Sequence, residues 1–298
     1  RDRSPSRGLG DVYKRQCLDY LRNKGAEWQS VQVFGQEVNG LTSSIARMNL
    51  YLNGVEDFSI ACADTLEHPA FLDGSHLRKF DIVLANPPYS IKEWNREKFM
   101  NDKWGRNFLG TPPQGRADYA FLQHIIASMN ETQGRCAILF PHGVLFRDEE
   151  LELRKKLVEI DILDCIIGLG ANLFYNSPME ACILICNCSK ANSKKNRVLM
   201  INAVNEVTRK NAESMLLAEH IQKIVNAYQQ NRELDGFSRI VSNDEIREKK
   251  FNLNISLYAY QSVLQDALTV SKEDAINVWI SSHSQCINEM DELIKLIK

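Results

Sequence analysis

The apolar run Phe80-Asp81-Ile82-Val83-Leu84-Ala85 stops abruptly at Asn86-Pro87-Pro88-Tyr89. Near-continuous hydrophobicity over so short a stretch is the pattern of a parallel strand covered on both faces, as found in α/β sheets. Tandem prolines fix φ and withdraw two backbone donors where the strand has to end. In an open α/β sheet the loop beyond a strand's carboxyl end is where ligands bind. A rigid turn there holds the Asn86 side-chain oxygen and a peptide carbonyl in fixed, outward positions. Two such acceptors suit an –NH2 group on a planar ring or amide, and the Tyr89 ring can stack on that plane. The plainer reading is a proline-terminated strand with an Asn opening a turn.

Elsewhere strands and helices alternate. Val31 to Phe34 reads as a short strand, and Leu41, Ile45, Met48 and Leu52 repeat at helical spacing, with Gly54 placed as a C′ residue. Phe58 to Cys62 reads as a strand, Tyr119 to Met129 as a helix, Cys136 to Phe140 as a buried strand and Glu149 to Glu159 as a charged helix. Further strands are expected near Ile162 to Leu169 and Ala181 to Cys188. Such alternation predicts a doubly wound α/β sheet. After about Lys210 the chain turns mainly helical, with Met215, Leu216, Ile221, Ile224 and Val225 in one helix. Ile287, Met290, Leu293, Ile294 and Ile297 form an apolar stripe near the C-terminus, suited to packing on its own domain or on a partner.

Residues 90–116 show no period. They carry six basic residues (Lys92, Arg96, Lys98, Lys103, Arg106, Arg116) against three acidic ones, with Trp94 and Trp104 among them. A loop of that length inside a domain is usually functional or mobile. It is read either as a contact to DNA backbone or as a solvated loop anchored by two indoles. Cys182, Cys186 and Cys188 fall at even spacing, which puts them on one strand face as small buried residues rather than in a metal site. No apolar stretch approaches a membrane span. The cysteines read as reduced thiols, and the expected location is cytoplasmic. The formal net charge of −2 leaves no basic surplus for a stand-alone DNA binder, so a partner would supply much of any phosphate contact.

The tetrad matches the amino-methyltransferase motif, and the chain around it resembles the modification (methyltransferase) subunit of type I restriction-modification systems. The resemblance runs from about Leu18 to Tyr260. It is carried by Val33-Phe34-Gly35-Gln36-Glu37, Ser43–Leu50, Asp81–Tyr89, Ala117–His124, Phe140–Arg147, Ile167-Gly168-Leu169, Ala171–Tyr175 and Asn252–Tyr258. It implies a Rossmann-like class I S-adenosylmethionine-dependent methyltransferase sheet and transfer of a methyl group to adenine N6 of DNA. Asn86, Pro87, Pro88 and Tyr89 would be the catalytic residues. Glu37 would accept the cofactor's ribose hydroxyls, and Asp64 its adenine amine. Asp118 is read as no more than an N-cap, and His142 is left out of the site. The implied partners are DNA, a specificity subunit and a second modification subunit, with a restriction (nuclease) subunit as a further candidate.

Two stretches depart from the family. Its glycine-rich turn should precede Leu18-Asp19-Tyr20-Leu21, and Arg1–Gln16 stands there instead, reading as translated adapter sequence or as a native basic tail. Asn176-Ser177-Pro178-Met179-Glu180 stands where relatives usually have Thr-Gly-x-Pro. The expected organisation is a non-native-looking tail over 1–16, a partial catalytic domain over 17–208, and a helical region over 209–298. The first strand of the sheet, which would lie between those ending near Phe34 and Ala85, is expected to be missing. Its loss would expose two edges and leave a weakly folded fragment unlikely to methylate anything alone. Methylation of a protein glutamine amide or of RNA, and a non-catalytic assembly role, stay open as alternatives.

Overall fold

Apolar runs become strands and the stretches between them become helices. The structure is a computed structural model that describes residues 20–25, 30–174, 178–210, 213–260 and 276. Along the chain come β1 (Val33–Glu37), α1 (Gly40–Leu52), β2 (Phe58–Cys62), β3 (Leu72–Asp73), β4 (His76–Leu77) and β5 (Ile82–Ala85). Then follow α2 (Arg96–Met100), α3 (Asp118–Ala127), β6 (Arg135–Pro141), α4 (Leu151–Glu159), β7 (Leu163–Leu169), β8 (Ala181–Asn187) and β9 (Arg197–Ala203). The last are β10 (Thr208–Lys210), β11 (Glu213–Met215), α5 (Ala218–Gln230), β12 (Ser238–Ser242) and α6 (Asn243–Glu248).

Six strands form one sheet in the order β12-β9-β7-β8-β6-β5. β5 and β6 are parallel, as are β7 and β9, while β8 runs antiparallel between β6 and β7. Every residue of β7 is buried, so both faces of the sheet are covered at its centre. Ile166 faces one layer with Ile138, Phe140 and Leu184, closed by Tyr119 and Leu122 of α3 and Leu157 of α4. Cys165, Ile167 and Leu169 face the other, closed by Ile224 and Ala227 of α5. The alternation follows from the two-residue period of a strand. Cys182 and Cys186 are buried on β8 as its spacing implies, and Cys188 lies just past the strand's end.

β1 and β2 form a separate parallel pair, in register from Val33↔Phe58 to Glu37↔Cys62. Ala46 and Leu50 of α1 cover it. The Asn39 side chain accepts from Thr42 N at 3.0 Å and starts the helix, and Gly54 at φ 72° follows its C-cap, as its position in the sequence predicts. The rings of Phe34, Phe71 and Phe80 meet at 5.2–6.3 Å, and the Arg78 guanidinium lies 4.3 Å over Phe34, joining the small pair to the start of β5.

Among the described residues β5 pairs in the sheet with β6 alone and β1 with β2 alone. β5 is therefore an edge rather than a strand covered on both faces: Ile82 is 69% exposed, and Phe80 makes only a bridge to Met129. The helical repeat Leu41, Ile45, Met48, Leu52 faces outward, while Thr42, Ser43, Ala46 and Leu50 face the strands. The run Arg197–Ala203 is a strand that alternation alone did not single out. The sheet also continues past residue 208, because Ser238–Ser242 pairs with β9 inside the stretch expected to be helical. The tail over 1–16, Asn176, Ser177 and the Ile287–Ile297 stripe lie outside the described residues.

Candidate active site

β5 ends at Ala85, opposite Ile138 of β6, and the two prolines forbid further pairing. Asn86 and Pro88 are exposed, Pro87 is buried and Tyr89 half-buried. The Tyr89 hydroxyl donates to Asn86 Oδ1 at 2.8 Å, so the tetrad closes on itself and leaves that oxygen one further lone pair. The Pro87 carbonyl accepts no hydrogen bond within the described residues. Burial, then the nearby Cys182 and Asp118, push the Tyr89 phenol well above its ordinary range, so it remains a donor at any physiological pH.

The next residue, Ser90, has φ 50°, a strained value for a side chain with a Cβ. Its N–H donates to Asp118 Oδ1 at 2.8 Å and its hydroxyl to Oδ2 at 3.4 Å. Asp118 is the first residue of α3 but not its cap: Ala117 holds that place without a side-chain bond. The carboxylate instead turns back to the tetrad, which corrects the N-cap reading. Arg147 Nη1 donates to Asp118 Oδ2 at 2.9 Å and lies 3.5 Å from Glu150.

Glu37 is the last residue of β1, and its Oε1 accepts from Asn39 N at 2.8 Å. Asp64 lies just past β2, where Oδ1 accepts from Leu66 N at 2.8 Å and Glu67 N at 2.9 Å. Each carboxylate keeps its second oxygen without a hydrogen bond among the described residues. Ala63 N donates to Glu37 O, so the two side chains stand on adjoining strand ends. Leu66 packs with Phe99, Ala117 and Ala120, which sets the Asp64 turn against the start of α3, the same place that anchors Ser90. The structure thus gathers Asp64 and the tetrad around one helix terminus, with Glu37 one strand away.

The segment 90–116 is a packed wall. Arg106, 1% exposed, pairs with Asp102, donates to the carbonyls of Thr65 and Leu66 at 2.9 and 2.7 Å, and lies over the rings of Trp104 and Phe99. Trp94 Nε1 donates to Gln114 O, and Arg96 to Pro112 O. Arg96 thus serves the segment's own fold, and Arg106 ties the segment to the turn after Asp64. His142 follows β6, with Nε2 buried and without a partner; burial lowers its pKa, so the ring is neutral. Ser90, Arg147 and Glu150 were not anticipated as site residues. Their only signal was position, since Ser90 follows the tetrad and Arg147 ends a family-like stretch.

No helix among the described residues is long and apolar enough to cross a membrane. The sequence profile of the N-6 DNA Methylase family matches residues 14–267. The chain is 33% identical over 284 residues to the type I restriction enzyme MjaVII methylase subunit of Methanocaldococcus jannaschii, covering 90% of this chain and 47% of that protein. It is 31% identical over 279 residues to the MpnII methylase subunit of Mycoplasma pneumoniae, covering 88% and 51%. The chain thus spans about half the length of the curated relatives it matches. The crystal structure of the type I restriction-modification system methyltransferase subunit from Streptococcus thermophilus superposes with a TM-score of 0.75 at 36% identity, over 84% of this chain and 53% of that one. A class I S-adenosylmethionine-dependent methyltransferase from Listeria monocytogenes shares the fold, with a TM-score of 0.54 at 17% identity over 72% of this chain and 59% of that one. With the family profile spanning most of its length and the tetrad at the lip of the matching sheet, this chain belongs to the N-6 DNA Methylase family.

Proposed function

We propose that the chain is the catalytic part of a DNA adenine-N6 methyltransferase, acting as the modification subunit of a type I restriction-modification complex. The observation that carries this is the tetrad: two oxygen acceptors, Asn86 Oδ1 and the Pro87 carbonyl, lie beyond a strand end beside an aromatic ring. An exocyclic amine has two hydrogens to give, and its lone pair is delocalised into the ring. Acceptors fixed at Asn86 and Pro87 favour the pyramidal nitrogen, with its developing positive charge, over the flat ground state. The Tyr89 hydroxyl yields its place on Asn86 Oδ1, or shares that oxygen, when the amine arrives. Its ring then stacks on a base that has left the duplex. No general base is needed before attack, since the surplus proton leaves to solvent afterwards.

S-adenosylmethionine, when bound, supplies an electrophilic methyl group on a sulfonium. The free carboxylate oxygens of Glu37 and Asp64 fit its nucleoside, Glu37 accepting from the ribose hydroxyls and Asp64 from the adenine amine. DNA, a specificity subunit and a second modification subunit are the proposed partners, consistent with the near-neutral charge. The test is transfer of labelled methyl to DNA, RNA and protein by the chain assembled with its specificity subunit. Label on adenine N6 of DNA, abolished by Asn86→Ala, is the expected result. Label on RNA or on a glutamine amide would replace the substrate, and cofactor binding without transfer to any acceptor would leave an assembly role.

A further inference from the structure

We infer that Asp118 and Arg147 are positioning residues for the tetrad, forming a buried latch that fixes the turn carrying Asn86 and Tyr89. This rests on the functional reading above only in what the tetrad does, not in how it is held. The Asp118 carboxylate is fully buried, and its bonds go to the Ser90 N–H, the Ser90 hydroxyl and Arg147. A carboxylate that far from water is held by donors around it, and here two of the three come from the residue after Tyr89. They also keep Ser90 at its unfavourable positive φ, so the strain in the turn is balanced at Asp118.

Arg147 is shaped into place from three sides. Glu150, fully buried with neither oxygen hydrogen-bonded, faces it at 3.5 Å. Arg154 donates to the Arg147 carbonyl and to Phe251 O, fixing the backbone from which the side chain leaves. Gly143 supplies the space. A Cβ there would meet the guanidinium at 2.6–2.9 Å, although the backbone at Gly143 needs no glycine conformation. The absence of a side chain at 143 is thus explained by the guanidinium that fills its place.

The test uses the full chain and four variants: Asp118→Ala, Arg147→Met, Arg147→Lys and Gly143→Ala. Amide hydrogen exchange over residues 86–91 should rise about tenfold in Asp118→Ala, Arg147→Met and Gly143→Ala, with β6 and β7 unchanged. Arg147→Lys should restore most of the protection. In the assembled complex Asp118→Ala, Arg147→Met and Gly143→Ala should lower kcat by up to about a hundredfold, leaving KM for the cofactor within about twofold. Unchanged exchange over 86–91 in Asp118→Ala would overturn the proposal. So would exchange that rises equally in β6 and β7, since the pair would then be a general prop. If the wild-type complex transfers no methyl while the exchange pattern holds, the latch stands and the functional reading falls.

Discussion

The six-stranded sheet and the β1–β2 pair hold their candidate site residues in different ways. The six-stranded sheet is covered on both faces, with β7 wholly buried and helices on either side. The β1–β2 pair has one helix, and that helix buries Leu50 with the small residues Thr42, Ser43 and Ala46 while exposing Leu41 at 73% and Leu52 at 72%. The tetrad belongs to the first region and is latched by charged groups buried in it. Glu37 and Asp64 belong to the second, held by short turns and by Arg106 reaching from another segment. The side proposed to take the base should therefore be stiff and intolerant of change, and the side proposed to hold the nucleoside softer.

The strongest test of that contrast compares Asn86→Ala with Glu37→Ala. In the active complex, Asn86→Ala should lower kcat about a hundredfold or more, as removal of one fixed polar group facing a transition state does. Glu37→Ala should instead raise KM for S-adenosylmethionine, about tenfold. Steady-state kinetics with varied cofactor would show the two effects on different parameters; the same effect from both would erase the distinction. Next in size, Leu184→Ala opens a cavity in the larger core and should cost about 2–5 kcal/mol by urea unfolding. Leu50→Ala, between α1 and the small pair, should chiefly speed amide exchange in residues 33–62.

Glu150 gives a third test. Burial raises its carboxyl from the ordinary 4.5 to about 7, against the opposing pull of Arg147. A folded-state value above the unfolded one favours folding most at low pH. The contribution of Glu150 to stability should therefore fall as pH rises from about 4.5 to about 7, by roughly 3 kcal/mol. Glu150→Gln should match wild type near pH 5 and exceed it near pH 8 in chemical melts. The smallest effect expected is Leu52→Lys on the exposed face of α1, within about 0.5 kcal/mol of wild type.

How much was legible in the sequence differs between the same two regions. β6, β7 and β8 are short apolar runs bounded by turns, and strand periodicity located them within a residue or two. The strand over Phe58–Cys62 was read with its observed limits. The α1 pattern gave the helix but suggested the wrong face, because Leu41 and Leu52 outweigh Ala46 in hydrophobicity while Ala46 is what fits against β1. β12 was missed because Ser238-Arg239-Ile240-Val241-Ser242 is short and polar, and only pairing with β9 makes it a strand. In the site, proline chemistry marked the tetrad. The Asp118–Arg147 pair could not be read, since its members are 29 residues apart and their meeting depends on the sheet.

Arg106 has a consequence for how anything reaches the site. Its guanidinium is spent on Asp102 and on the carbonyls of Thr65 and Leu66, so the segment it belongs to is bolted to the turn that carries Asp64. Swinging that segment away would strip hydrogen bonds from a buried cation, a cost far above thermal energy. The wall beside Asp64 is therefore set before anything arrives there, even though the strands beneath it carry only one helix.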